Sequence, residues 1–299
     1  MATLKNIALV GASGNIGKII LESLVVSSDF DITVVLRKES KAVFPSGVAV
    51  HKSDFSVADL EAVFKGKDAV ISALGATAFG EQKKLVDAAI SAGVKKFVPS
   101  EFSASSQNDT VIQLLPLFEQ KKELIEYLKT KEADGFNWTG IATSGLLDWG
   151  LENGFLQFDI ASRTATIWDG GDKSFTLTNE KSLGQSVVSV LRNLEQTKNK
   201  YLYVASVETT QREILTALEK ATGTKWTVQE TTTETQLSVA AKKLTGGDFE
   251  GAFILVRATV FGNSPGLNAN YVKDTELAND ILGLKLESVE ETVERVVNK

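Results

Sequence analysis

Residues Gly11-Ala12-Ser13-Gly14-Asn15-Ile16-Gly17 follow the apolar run Ile7-Ala8-Leu9-Val10 and open a segment in which Ile16, Ile19, Ile20 and Leu24 recur at helical spacing. A glycine-rich turn between a strand and a helix, this early in a chain, leaves few folds open. It starts a βαβ unit, and the amides at the head of its helix are arranged to receive a phosphate. Gly11 suits the tight turn, Gly14 lets backbone approach a pyrophosphate, and Gly17 lets helix and strand pack closely. With Ser13, Asn15 and Ile16 they form the expected cradle for a dinucleotide.

The next apolar strand, Ile32-Thr33-Val34-Val35-Leu36, ends at Arg37, twenty residues after Gly17. An NAD-selective site usually places an acid there, to accept hydrogen bonds from the ribose 2′-hydroxyl. A guanidinium pairs instead with a 2′-phosphate and can lie flat on adenine, and Lys38 and Lys41 follow closely. The expected cofactor is therefore NADP(H); a solvated cationic strand end is the plainer reading.

The chain has 299 residues, 43% hydrophobic and 23% charged, as in an ordinary globular protein. No apolar run approaches the roughly 20 residues a membrane helix needs, and the first strand begins near Asn6, so a cytoplasmic location and no membrane partner are expected. A net charge of −6 argues against nucleic acid as a partner. There is no cysteine, which excludes disulfides and thiolate chemistry, and one histidine, His51, at the end of Val48-Ala49-Val50. No metal site is expected, and His51 fits a structural or cofactor-edge role better than a catalytic one.

Strands near 6–10, 32–36, 47–51, 68–74, 95–99 and 138–143 alternate with helical segments, the rhythm of a doubly wound parallel sheet. The expected fold class is α/β: a Rossmann-type domain over residues 1–150, then a smaller α/β substrate domain over 151–299. Tyr201-Leu202-Tyr203-Val204 is apolar enough for the segment 201–205 to return to the first sheet. Ser56 with Asp59, Thr210 with Glu213 and Ser288 with Glu291 read as capping boxes, and Leu85, Val86, Ala89 and Ile90 as a helix's core face.

Candidate chemistry gathers at the carboxyl ends of these strands. Gly75, after Asp68-Ala69-Val70-Ile71-Ser72-Ala73-Leu74, either lets a cofactor pass close to backbone or forms a plain turn. Asp54 either accepts from an adenine amino group or caps a helix. Phe102, in Pro99-Ser100-Glu101-Phe102-Ser103, either stacks on a nicotinamide or joins the core; Glu101 beside it is left without a catalytic role. Lys121 shares a face with Leu124, Ile125 and Leu128, so its ammonium lies within an apolar stripe. It is either a lysine whose pKa burial lowers into a useful range or one that snorkels. Tyr127 and Lys131 spell Tyr-x-x-x-Lys, but Tyr127 lies late in the helix and away from that stripe, with no serine in the dozen positions before it.

Taken together, the glycine turn, Arg37, Gln82 with Asp87-Ala88-Ala89, the run Ala92-Gly93-Val94-Lys95-Lys96-Phe97-Val98-Pro99-Ser100-Glu101-Phe102, and Phe118 with Lys121 resemble the isoflavone reductase-like branch of the NmrA-like family. Ser144-Gly145-Leu146-Leu147-Asp148-Trp149-Gly150 looks most like its fungal members. The resemblance implies an atypical short-chain dehydrogenase fold, NADP(H) in the first domain, and Lys121 as the catalytic lysine. Lys121 would direct proton transfer while hydride passes from nicotinamide C4 to an aromatic or conjugated small molecule; Gln82 and Phe102 would position nicotinamide and substrate. Two departures stand out: Ser103 replaces a glycine usual after Pro-Ser-Glu-Phe, and Ile125 and Glu126 replace paired arginines. The expected function is an NADPH-dependent reductase, as a monomer or homodimer. The alternative is a redox sensor that binds NADP without turnover. Leu146, Leu147, Trp149, Phe155 and Phe158 are either substrate lining or core.

Overall fold

Ile7, Ala8, Leu9 and Val10 are all fully buried, as a continuous apolar run must be when helices cover both faces of a parallel sheet. The computed structural model, which describes residues 4–132 and 135–299, places them in β1 (Asn6–Val10). There follow α1 (Asn15–Ser27), β2 (Asp31–Arg37), β3 (Ala49–Ser53), α2 (Val57–Phe64), β4 (Ala69–Ser72), α3 (Gln82–Ser91), β5 (Lys96–Val98), α4 (Asp109–Leu114), α5 (Glu119–Thr130) and β6 (Asn137–Ala142). The second half adds β7 (Gly145–Leu146), α6 (Leu147–Glu152), β8 (Phe158–Asp159), β9 (Thr164–Trp168), β10 (Phe175–Thr178), α7 (Glu180–Arg192), α8 (Leu194–Thr197), β11 (Lys200–Tyr203) and β12 (Val207–Thr209). It ends with α9 (Gln211–Thr222), β13 (Thr227–Thr231), α10 (Thr233–Thr245), α11 (Glu250–Phe261), α12 (Tyr271–Asp274), α13 (Asn279–Leu282) and α14 (Val289–Val297).

The main sheet runs β3-β2-β1-β4-β5-β6-β11, with every pairing parallel. This is the α/β Rossmann order, extended by one strand from the second half of the chain. Strand order reverses between β1 and β4, and ligands of such sheets gather in the crevice at that point. Two smaller sheets, β12-β10-β7 and β13-β9-β8, lie in the second half.

Three apolar clusters hold these layers. On one face of the main sheet Ile19, Ile20 and Leu24 of α1 meet Leu183 and Val187 of α7. On the other, Leu60 and Phe64, Leu85 and Val86, and Leu124, Ile125 and Leu128 bring α2, α3 and α5 together. The third, around Trp168, Phe175, Ile214, Phe261 and Val293, also takes in Phe79 and Phe118. α5 therefore begins where the third cluster meets the second.

Local signals in the sequence are realised unevenly. Thr210 with Glu213 and Ser288 with Glu291 form complete capping boxes. At α2 only half of the expected box exists: Ser56 accepts the Asp59 amide, but the Asp59 carboxylate is taken by His51 Nε2 at 3.1 Å. Ile90 is 36% exposed, on the solvent side of α3, because only Leu85, Val86 and Ala89 of that set face the sheet. No helix among the described residues is long and apolar enough to cross a membrane.

Candidate active site

The glycine loop crosses the crevice between β1 and β4. Gly11 sits at φ +87°, and a Cβ there would lie 2.5 Å from the Ala73 carbonyl oxygen; at Gly17 a Cβ would lie 2.1 Å from the Gly11 oxygen. These two glycines are demanded by the chain's own packing. Gly14 and Gly75 are not, for both have negative φ, the nearest atom to a Cβ at Gly14 is 3.6 Å away, and nothing lies within 4 Å at Gly75. Both cap a helical segment, Gly14 with room for a Cβ and Gly75 with open space before it. Gly14 stands just ahead of Asn15 and Ile16, the first residues of α1, whose amides have no helical partner. Ser13, Gly14 and Asn15 are exposed, while Ile16 is half-buried and packs on the first cluster.

A recess of about 360 Å³ runs from Gly11 and Ser13 to Arg37, Ser40, Phe55 and Leu74. A second, of about 410 Å³, shares Arg37, Phe55 and Leu74 and adds Lys38, Asp54 and Thr77. The strand-end cation is thus brought to the glycine loop. Lys38 is partly committed, because its Nζ lies 3.0 Å from Asp54 Oδ2. Hydrogen bonds from Ser56, side chain and backbone, and from Lys38 hold the Asp54 carboxyl well below the usual range. Lys41 is exposed and lines neither recess. Glu39, unremarked in the sequence, lines both.

Phe55 is the other residue that sequence reasoning passed over. It is a non-glycine residue at φ +58°, held there as its amide donates to Ser53 Oγ at 2.9 Å. Left-handed backbone at a bulky residue is costly, and such positions concentrate at functional sites. Its place two residues beyond β3, on the crevice edge, was the available signal.

Gln82 is fully buried at the head of α3; its Oε1 accepts the Ser100 amide at 2.8 Å, while its Nε2 has no partner among the described residues. Its visible work is to pin the end of β5. Phe102, 6% exposed, packs into the first cluster, which leaves little of its ring to a ligand. Leu147 and Phe158 are core residues, Leu146 is buried, and Trp149 and Phe155 are half-buried with ring centroids 5.4 Å apart. His51 ties β3 to α2. Tyr127 donates to the Asp87 carboxylate on α3, and its ring centroid lies 4.7 Å from Lys131 Nζ, on the outer side of α5.

Lys121 is 3% exposed, on the face of α5 that carries Leu124, Ile125 and Leu128. Its Nζ lies 4.7 Å from the ring centroid of Phe79 and 4.4 Å from that of Phe118, so the ammonium is held between two aromatic rings. It donates to Ser103 Oγ at 2.8 Å and to the Glu101 carbonyl oxygen at 3.3 Å. Burial pushes its pKa down to about 8, against the opposing pull of Glu101. The Glu101 carboxyl is wholly buried, and burial raises its pKa against Lys121 and hydrogen bonds from Ser106 and Tyr201, each at 2.7 Å. An amine poised near neutrality, at the carboxyl end of β5 and where two cores meet, is equipped to exchange a proton.

The model of the NmrA-like family matches residues 3–245. The oxidoreductase aprR of Aspergillus flavus is 36% identical over 294 residues, covering 97% of this chain and 98% of its own. An isoflavone reductase homolog of Solanum tuberosum is 28% identical over 241 residues, covering 75% of this chain and 76% of its own. Among solved structures, the binary complex of leucoanthocyanidin reductase with NADPH from Vitis vinifera has a TM-score of 0.80 at 18% identity, covering 98% of this chain and 100% of that one. A likeness at that identity carries the fold, whereas the family match spans most of the sequence. The chain belongs to the NmrA-like family.

Proposed function

We propose that this protein is an NADPH-dependent reductase of a small aromatic or conjugated metabolite, with Lys121 governing proton transfer. The observation that carries the reading is Lys121 itself, a buried amine with its pKa near 8 at the carboxyl end of the sheet. Relatives named oxidoreductase and reductase, and a neighbour solved with NADPH, support it.

The residues present fit the dinucleotide. Amides of Ser13, Asn15 and Ile16 at the head of α1 would take the pyrophosphate, the Gly14 amide being held by the Gly11 carbonyl, and the dinucleotide would pass over Gly14 and the open space at Gly75. Arg37 would pair with the 2′-phosphate, and the Phe55 ring would lie against adenine in the adjoining recess. The bound dinucleotide supplies a hydride. The rings of Phe79 and Phe118 keep water from Lys121, and α5 fixes its ammonium on the substrate side of the sheet. As the carbon of the substrate gains the hydride, its oxygen gains negative charge, and the Lys121 ammonium is the source of the proton that neutralises it.

The test is NADPH oxidation against aryl ketones, enones and benzylic ethers, with wild-type protein and Lys121→Ala. Turnover in the wild type is expected to fall about a hundredfold or more in the variant, with NADPH affinity retained. Because the protonated amine is the donor, wild-type kcat should decline as pH rises through about 8. Tight dinucleotide binding with no turnover in either protein would instead favour a nucleotide sensor.

A further inference from the structure

Lys121 is badly placed to touch a substrate. With 3% of the residue exposed and two rings closing on its ammonium, it presents almost nothing to the crevice. Among the described residues its one side-chain hydrogen-bond partner is Ser103 Oγ, at 2.8 Å, and Ser103 is partly exposed. The Ser103 hydroxyl donates to the Glu101 carbonyl at 2.8 Å or, alternatively, to that of Ala104 at 3.3 Å. The Ser103 carbonyl accepts the amides of Thr143 and Ser144 at 3.0 and 3.1 Å. That double clasp fixes the residue beyond the carboxyl ends of β5 and β6, the edge where ligands of a doubly wound sheet collect. The hydroxyl thus has the buried ammonium on one side, on a residue that is itself partly exposed at that edge.

We propose that Ser103, rather than Lys121, hands the proton to the substrate oxygen, and that Lys121 replaces it. The step rests on the reductase reading. As hydride reaches the substrate carbon, the carbon–oxygen π pair, or the pair of a breaking carbon–oxygen bond, settles on oxygen. The Ser103 Oγ–H bond breaks and a new O–H bond forms on the substrate. One Nζ–H bond of Lys121 breaks and its proton moves to Oγ, leaving a neutral amine that is later reprotonated from solvent by way of the partly exposed Ser103 hydroxyl. Ser103 gives up its resting bond to a main-chain carbonyl by rotation of the hydroxyl alone. The charged group facing Lys121 is Glu101, and Glu101 is faced in turn by Tyr201 of β11 and Tyr271 of α12, which burial keeps protonated.

Two readouts on Ser103→Ala and Ser103→Thr decide the matter. The first needs no turnover: the titration of Lys121 in the cofactor-free protein, followed by NMR of lysine labelled at Cε and assigned with Lys121→Arg. Loss of the Oγ acceptor is expected to lower the Lys121 midpoint in Ser103→Ala, and threonine should restore it. The second is the single-turnover rate, expected to fall at least about tenfold in Ser103→Ala, with the solvent isotope effect altered, NADPH binding unchanged and threonine largely restoring the rate. An unshifted midpoint, or a wild-type rate in Ser103→Ala while Lys121→Ala is inactive, would overturn the relay and leave the reductase reading standing. No turnover in the wild type would remove both.

Discussion

At the scale of single residues, the four glycines of the crevice separate packing from ligand approach. Gly17 must lack a Cβ because helix α1 rests on the Gly11 carbonyl, so Gly17→Ala forces backbone apart and is expected to cost about 2–3 kcal/mol. Gly75→Ala meets nothing in the chain, so stability should hold within about 0.5 kcal/mol. Its effect should fall on the dinucleotide, whose path the new methyl would narrow. Thermal unfolding beside an NADPH fluorescence titration separates the two, and a Gly75→Ala protein that binds as tightly as wild type would put the cofactor elsewhere. The sequence told of this loop because its spacing is fixed by backbone geometry. It did not tell of Ser103 or Phe55 as site residues, because a loop hydroxyl or a strained aromatic has no periodicity. Their meaning comes from what the fold sets beside them.

Secondary-structure elements were legible in proportion to how local their causes are. The stripe Lys121, Leu124, Ile125 and Leu128 was visible because one helix face writes it directly. The two complete capping boxes were visible for the same reason: each joins residues three apart. The half-box at Ser56 was misread because the competitor for Asp59, His51, arrives from strand β3, outside the helix. Strand β7 has two residues, and only its register with Leu177 and Thr178 makes it a strand. The run Thr231-Thr232-Thr233 likewise divides between the end of β13 and α10, with Thr232 as the cap. A prediction belongs here. Thr210 Oγ1 accepts the Glu213 amide at 3.1 Å, and Glu213 Oε2 accepts the Thr210 amide at 2.8 Å. Thr210→Ala should therefore cost about 1 kcal/mol, seen as a thermal midpoint lower by a few degrees, while Thr210→Ser should keep most of it. Equal loss in both variants would assign the effect to the methyl group rather than to the cap.

The whole molecule joins its cores at the head of α5, and that junction is what buries Lys121. Burial also acts on Lys96, at the opposite end of β5, which is fully buried with no hydrogen-bond partner for its Nζ among the described residues. Burial lowers its pKa to about 7, against the opposing pull of Glu195. The unfolded chain, with the ordinary value of 10.5, then binds more protons than the folded one between those limits. Stability must rise with pH through that window, by up to about 1.4 kcal/mol per unit, and fall again as pH drops toward 7. Lys121 adds a slope of the same sign above about 8, so only the interval from 7 to 8 belongs chiefly to Lys96. Lys96→Met fills a similar volume without a proton to lose. It should be more stable than wild type at pH 7 and lose that advantage toward pH 10, as urea unfolding across the range would record. A variant less stable at pH 7 would mean that Lys96 stays in the fold for contacts of its stem or for a polar partner. In that event the amine would be part of the architecture and not a burden on it.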